Sequence, residues 1–549
     1  MQNSRRSAWY VFAVVLFCAL LGGIYGHRME ATTSPDSNAN VRTSLQQFTD
    51  VYTAIEQNYA TPVKPSRAIF GPTSGAVGAI PGMLHTLDPH SNFFDPKAFA
   101  SLQENQEGKY FGVGMSIQTR PGPLGRLETF IVSPLPGSPA FRAGLRPGDI
   151  IVAVDGKPTN GPDAPDGQIS RTAYVASMLK GPRGTVVHVS IERQGIDHPL
   201  EFTITRAAIP QSSVPDAFMI APGIGYIHLT GFIDTTNDEL VAALHKLHEN
   251  HLQGLILDLR GNPGGLLQQA VEVAGHFLEK GQLIVYHYGR SSPEKRYYAQ
   301  TGDNGHQYPI VVLIDHMTAS AAEIVTGALQ DHDRALVVGQ RSFGKGLVQT
   351  VFPLSDNTGL ALTTAHYYTP SGRLIQRPYN NLSLYDYFNP PSHAAHGDVR
   401  YYTDGGRVVY GGGGITPDIH ASEPDLTPTE ITLIEHAAFF NFAEHYKADH
   451  ASLPGDFTVT DPLLNQFRQF LVARNIKVAA KDFTDNVEFI RTRLEVRFAQ
   501  LYFGQEKADE ISIAHDPVVE KALASFGEAR ALMIHAKKYM AAEAKADPQ

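Results

Sequence analysis

The sequence predicts an α/β protein with a β-rich insertion, an N-terminal helical region and a helical C-terminal extension. Three observations carry this. Beyond about Pro210, strand-like runs at 224–229, 255–259, 283–288, 310–314 and 335–338 alternate with helical stretches at 238–248 and 266–278 and a helix opening at Ser320. Such alternation builds a sheet covered by helices. Between about residues 102 and 206 the texture is instead short β-like runs punctuated by glycine. Beyond about residue 421 the chain turns helical, with Val487, Ile490, Leu494, Phe498 and Leu501 on one stripe that serves as core or as a homodimer contact.

At 549 residues the chain holds roughly three or four domains. Hydrophobic content of 42% and charged content of 18% fit a globular protein. A net charge of −10 gives no basic footprint for nucleic acid. Cys18 is the single cysteine, so no internal disulfide forms. Arg5 and Arg6 precede 20 uncharged residues, 7–26, enough to span a bilayer as a helix. The positive flank keeps the N-terminus inside and exports the rest. The expectation is an uncleaved single-pass anchor (1–29) in a bacterial inner membrane, with the remaining chain periplasmic; the alternative is a signal peptide that is removed.

Residues 30–40 read as a linker. Val41, Leu45, Phe48, Tyr52, Ile55 and Tyr59 then recur at helical spacing. A second helical stretch leads to Leu87-Asp-Pro-His-Ser-Asn-Phe-Phe94. Residues 348–354 and 360–367 read as a hairpin over Asp356-Asn-Thr-Gly, and 380–414 as a long surface loop. The expected divisions are 1–29, 30–101, 102–206, 207–420 and 421–549.

Three segments placed at strand ends carry chemistry. Ser320 lies in Asp315-His-Met-Thr-Ala-Ser-Ala-Ala-Glu-Ile324, where a strand ends and a helix begins. There the helix N-terminus favours a developing oxyanion, and the Ala321 N–H is an unpaired donor. Taken alone, such a serine is more often a helix cap. Leu257-Asp-Leu-Arg-Gly-Asn-Pro-Gly-Gly265 also joins a strand to a helix. Gly265, or Gly264, offers a second oxyanion donor, while Asp258, Arg260 and Asn262 brace the loop. Lys345 sits in Ser342-Phe-Gly-Lys-Gly-Leu-Val-Gln349 between two glycines that let it enter a crowded interior. A neutral lysine can take a serine's proton without any histidine. Burial away from carboxylates depresses its pKa, and Gln349, four residues on, holds the amine without raising it.

Together these segments resemble the C-terminal processing peptidases, or tail-specific proteases. The resemblance runs from about residue 41 to 419 and includes Asp88-Pro-His-Ser91 and Gly411-Gly-Gly-Gly-Ile-Thr-Pro-Asp418. It implies a Clp-protease/crotonase-like core of spiral ββα units, with Ser320 as nucleophile, Lys345 as base and Gln349 in support. Ser320 and Lys345 stand 25 apart (345 − 320), as in that family, whereas Ala322 stands where many members carry serine. Gly137-Ser-Pro-Ala-Phe-Arg-Ala-Gly-Leu-Arg-Pro-Gly-Asp-Ile-Ile-Val-Ala-Val-Asp-Gly156 resembles the centre of a PDZ domain. Tyr110, Phe111, Gly112 and Val113, leading to Gly114, resemble its carboxylate-binding loop. The resemblance implies an endopeptidase that recognises apolar, unstructured C-terminal tails of protein substrates and uses no cofactor and no metal. The competing reading is a membrane-anchored PDZ adaptor on the same fold with a silent site. His245, His248 and His251 drift around a helix and have no metal-ligand pattern; His90 reads as structural.

Overall fold

The computed structural model describes residues 35–58, 69, 78–122, 127–160, 170–193, 195–380, 382–389 and 399–546. The chain divides into two compact units, Met1–Met83 and Leu84–Gln549. In the first, the helix Pro35–Asn58 begins inside the stretch read as a linker. Its stripe of Val41, Leu45, Phe48 and Ile55 is exposed.

In the second unit, a sheet among the described residues runs Asp216–Ala221, Ile224–His228, Gly254–Asp258, Ile310–Ile314, Ala335–Gly339 and Ile419–His420. Only its first pair is antiparallel. Gly254–Asp258, Ile310–Ile314 and Ala335–Gly339 are buried at every position. Both faces of a parallel sheet are normally covered, which is why these strands are apolar but for the buried Asp258 at one end. Thr236–Lys246, Leu267–Gly275 and Ala321–Asp331 pack on one face. The other face is closed by Val518, Val519, Ala522 and Ala529 of the helices Pro517–Ala524 and Phe526–Ala546. The end of the helical extension therefore completes the core of the sheet.

A second sheet carries the expected hairpin, Leu347–Pro353 against Gly359–Tyr368. Gly359–Tyr368 also pairs with Asn92–Phe94, which brings the Asp88-Pro-His-Ser91 turn beside the start of Leu347–Pro353.

The glycine-punctuated region folds as a sheet in the order Met115–Pro121, Leu127–Pro134, Ile150–Val154, Val186–Glu192 and Leu200–Thr205. The helices Pro139–Ala143 and Arg171–Leu179 pack against it, each capped by a serine hydroxyl, Ser138 or Ser170. Its entry and exit strands, Lys109–Gly112 and Ala207–Pro210, pair with each other. Its strand Leu127–Pro134 also joins the helical extension. Phe130 and Val132 enter an apolar core with Phe439, Phe440, Phe467 and Phe498, and the Phe130 and Phe440 rings lie 4.7 Å apart. Ile490, Leu494 and Phe498 lie inside this core, so the stripe that was read as core or dimer contact is core.

Two expectations are corrected. Among the described residues no helix is long and apolar enough to cross a membrane, which overturns the single-pass inner-membrane placement. Residues 7–26, on which that expectation rested, lie outside the described residues. The stretch 380–414 is not simply a loop: it holds the helix Leu384–Phe388 and the hairpin Arg400–Tyr402 with Val408–Tyr410. Ser383 caps that helix through the Asp386 N–H, and its Tyr387 is buried.

Phe440→Ala removes one side of the aromatic contact between the β-rich unit and the extension. Emptying a buried phenylalanine site costs about 3–5 kcal/mol. The expected result is a clear fall in melting temperature, with faster proteolysis of the β-rich unit. An unchanged melting temperature would show that this contact does not hold the two together.

Candidate active site

The Ile310–Ile314 strand ends in a turn organised by Asp315, whose carboxylate accepts the N–H groups of Met317 and Thr318 and that of Gly261 from the neighbouring loop. The turn delivers Ser320 at φ 56° and ψ −115°, a conformation that L-residues avoid. Holding such a residue costs roughly 1–3 kcal/mol and needs support from its surroundings. The Ser320 N–H donates to the Glu323 carboxylate at 2.8 Å, and its carbonyl accepts from the Tyr367 hydroxyl at 3.0 Å. Next to it, the Ala319 N–H donates to the Asn262 carbonyl at 2.9 Å.

That last bond ties the serine turn to the glycine loop. A Cβ on Gly264 would lie 2.8 Å from Ala319 O, Ala321 N and Ser320 Cβ, so no side chain fits without moving the serine. The Gly264 N–H is taken by Asn262 Oδ1 at 2.9 Å. By contrast, among the described residues neither the exposed Gly265 N–H nor the Ala321 N–H has a hydrogen-bond partner. Arg260 braces the loop from behind, paired with Asp258 and Asp516.

Lys345 enters from the third segment. Its Nζ donates to Gln349 Oε1 at 2.8 Å, and Gln349 Nε2 donates to the His90 carbonyl at 2.6 Å. Burial pulls the Lys345 ammonium below the ordinary lysine range, while Asp88 and Glu323 pull it back up. The expectation of a lysine remote from carboxylates is thus only half met: its hydrogen bond goes to an amide, but two carboxylates stand near. At Asp88 itself, burial raises the pKa. Donors from Ser91 and from the His90 and Ser91 N–H groups outweigh it and hold the group low. Lys345 Nζ and Ser320 Oγ are not hydrogen-bonded to each other. Such bonds are often loose in free enzymes and tighten only with substrate bound.

Two residues missing from the sequence reading lock these segments together. Glu323 is fully buried and accepts the N–H groups of Ser320, Gly344 and Lys345 and the Ser342 hydroxyl. Burial pushes its pKa up to about 7, while these four donors favour the carboxylate. The buried Tyr367 hydroxyl touches the carbonyls of both Ser320 and Lys345. Ser320 and Glu323 have the spacing of a capping box, a signal visible in the sequence; Tyr367 has none.

The other predicted residues lie in the β-rich unit. Tyr110, Phe111 and Gly112 belong to its entry strand, and Val113 is buried in its core. Among the described residues the Val113 and Gly114 N–H groups donate to no partner.

A largely parallel sheet presenting a strained serine beside two N–H groups without partners among the described residues and a half-buried lysine, with an appended β-rich unit, defines a PDZ-bearing peptidase. The profile of Peptidase family S41 matches residues 223–379, that of a PDZ domain residues 130–193, and that of the probable PDZ-protease C-terminal helical domain residues 429–481. The chain is 35% identical over 376 residues to the carboxy-terminal-processing protease of Bartonella bacilliformis, covering 68% of this chain and 80% of that one. It is 41% identical over 303 residues to the carboxyl-terminal-processing protease of Synechocystis sp., covering 54% of this chain and 68% of that one. The solved photosystem II D1 C-terminal processing protease is 29% identical, covering 64% of this chain and 82% of that one at a TM-score of 0.34. The chain belongs to the S41 family of carboxy-terminal-processing proteases.

Gly264→Ala is expected to displace Ser320 and lower kcat by about 10²-fold or more, since small misplacements at a reacting centre cost that much. Turnover and melting temperature measured together check it. A folded variant with wild-type kcat would mean that the serine does not sit where bonds are broken.

Proposed function

We propose that this chain is a serine endopeptidase that cleaves proteins near their C-termini, with Ser320 as nucleophile, Lys345 as general base and Gln349 as its support. The observation that carries the reading is the Lys345 Nζ–Gln349 Oε1 hydrogen bond in a partly buried site beside the strained Ser320. A lysine bound to a neutral amide and depressed by burial can be neutral enough to accept a proton. Lys345 takes the Ser320 proton as Oγ attacks the peptide carbonyl. The Ala321 and Gly265 N–H groups receive the oxyanion. Lys345 passes the proton to the leaving amine, and water then hydrolyses the acyl-enzyme.

Tail recognition belongs in this reading to Tyr110, Phe111, Gly112 and Val113 at the start of the PDZ unit. What supports it is the pair of unpartnered N–H groups at Val113 and Gly114, suited to a terminal carboxylate. The free edge of Met115–Pro121 beside them can pair with an extended peptide. The substrates this fits are proteins with apolar, unstructured C-termini.

Ser320→Ala and Lys345→Ala are expected to abolish cleavage with folding intact, and Lys345→Arg to fail to rescue, because guanidinium stays protonated. Substantial turnover by either lysine variant would end the assignment. The pH profile gives a second check. A lysine base works only when neutral, and its folded pKa lies below the ordinary value, so kcat/KM is expected to rise with pH through a midpoint lower than that of free lysine. On the substrate side, an apolar free tail is expected to be cleaved faster than the same tail amidated or ending in Asp. Equal rates would remove the tail-reading part of the proposal and leave the dyad untouched.

A further inference from the structure

Behind Lys345 runs a chain of contacts that the mechanism above does not use. The Tyr387 hydroxyl lies 2.8 Å from His90 Nε2 and accepts from Gln376 Nε2 at 3.2 Å. Gln376 Oε1 in turn accepts the Gly346 N–H at 2.8 Å. At its other end the chain passes through the His90 carbonyl to Gln349 and so to Lys345. It therefore closes on both sides of the lysine, on its amine and on the peptide N–H that follows it.

An amide side chain has one accepting end and one donating end. The His90 carbonyl can only accept, so it must face the Gln349 NH2 group, and Oε1 is left to face Lys345. That polarity matters for a base. With Oε1 toward it, a neutral amine gives up an N–H and keeps its lone pair for the serine proton. With the amide reversed, the NH2 group would donate to that lone pair and compete with Ser320. We propose that Tyr387, acting through the His90 ring, is a positioning residue that holds the His90 carbonyl where it orients the Gln349 amide toward Lys345. The proposal rests on the reading of Lys345 as general base.

The placement of His90 is specific. Its N–H donates to Asp88 Oδ1 at 2.8 Å, and its ring stands edge-on to Phe343, Tyr387 and Phe388. Tyr387 accepts from Gln376, and its proton is available to His90 Nε2 in the tautomer that carries the imidazole proton on Nδ1. The groups around it are Asp88, Lys345, Arg377 and Tyr387. Burial first, then the Lys345 cation, keep the imidazole unprotonated down to a pKa of about 4. Tyr387 is itself buried and anchored by its own peptide, which accepts from Arg377 and donates to Ser383.

The test is kinetic, on the full chain with a peptide ending in an apolar free tail. Tyr387→Phe keeps the ring packing and deletes the hydroxyl. It is expected to lower kcat by about tenfold, the order of one lost hydrogen bond expressed in the transition state, with KM within about twofold. The midpoint of the kcat/KM rise is expected to move to lower pH, since an acceptor that stabilises the ammonium is lost. His90→Phe, which keeps the edge-on packing and the carbonyl but removes Nε2, is expected to show the same defect and serves if the first variant unfolds. In a Gln349→Met background Tyr387→Phe should add nothing, because both act through one amide. A wild-type kcat and pH midpoint in the folded variants would overturn the proposal. So would a Tyr387→Phe loss of the same size in both backgrounds. Should Lys345→Ala retain turnover, the dyad itself falls; should it be inactive while Tyr387→Phe behaves as wild type, only the positioning role does.

Discussion

The buried carboxylate of Glu323 is the constraint on which the rest of this site depends. It receives N–H groups from Ser320, Gly344 and Lys345 and the Ser342 hydroxyl, so one side chain joins two loops that leave different strands. A carboxylate taken from water is costly unless charge-assisted donors replace its hydration. Here four donors offset part of that cost, and they fix the relative position of the two loops: separating them would leave a buried carboxyl and four donors unmet. Tyr367 repeats the constraint from the acceptor side by meeting the carbonyls of Ser320 and Lys345. The unfavourable backbone of Ser320 is tolerable because its N–H and its C=O are both held.

The glycine loop obeys a different logic, that of close approach. Gly264 leaves no room for a side chain against the serine turn, and its N–H is consumed by Asn262. Gly265 also leaves no room for a side chain, against the Phe232 backbone, yet among the described residues its N–H has no partner. Asn262 sets this up by holding Leu229 and Gly264 with its side chain and Ala319 with its backbone.

Much of the fold was legible because burial on both faces leaves an unmistakable mark. The strands at 254–258, 310–314 and 335–339 are apolar but for the terminal Asp258, and the loops after them carry the small and glycine residues that tight turns require. The same fact implied a cover for the second face, but nothing local says that residues near 518–529 supply it; that is a tertiary outcome. Ser320 and Glu323 displayed a cap spacing, yet a cap alone does not say that the acid also reaches a loop some twenty residues further on. The carboxylates near Lys345 come from Asp88 and Glu323, one of them far away in the chain, so burial was readable and its electrostatic surroundings were not. Tyr387 escaped because its helix, Leu384–Phe388, is too short to show a period, although Ser383 and Asp386 carried its start signal.

The helical extension has a place in this architecture that its lack of motifs concealed. Its last helices close the catalytic sheet, while Phe439 and Phe440 hold Phe130 of the β-rich unit. Both covalent links of that unit enter at one strand pair, and Arg120 adds a hydrogen bond to Asn441 of the extension beside the aromatic contact. Two links at one point make a hinge, and a hinge alone leaves orientation undetermined. The aromatic contact supplies the second point of attachment. Rotation about the strand pair must open it, exposing Phe130 and Phe440 together. The orientation of the PDZ unit is therefore set by the same extension whose last helices pack the sheet beneath Ser320.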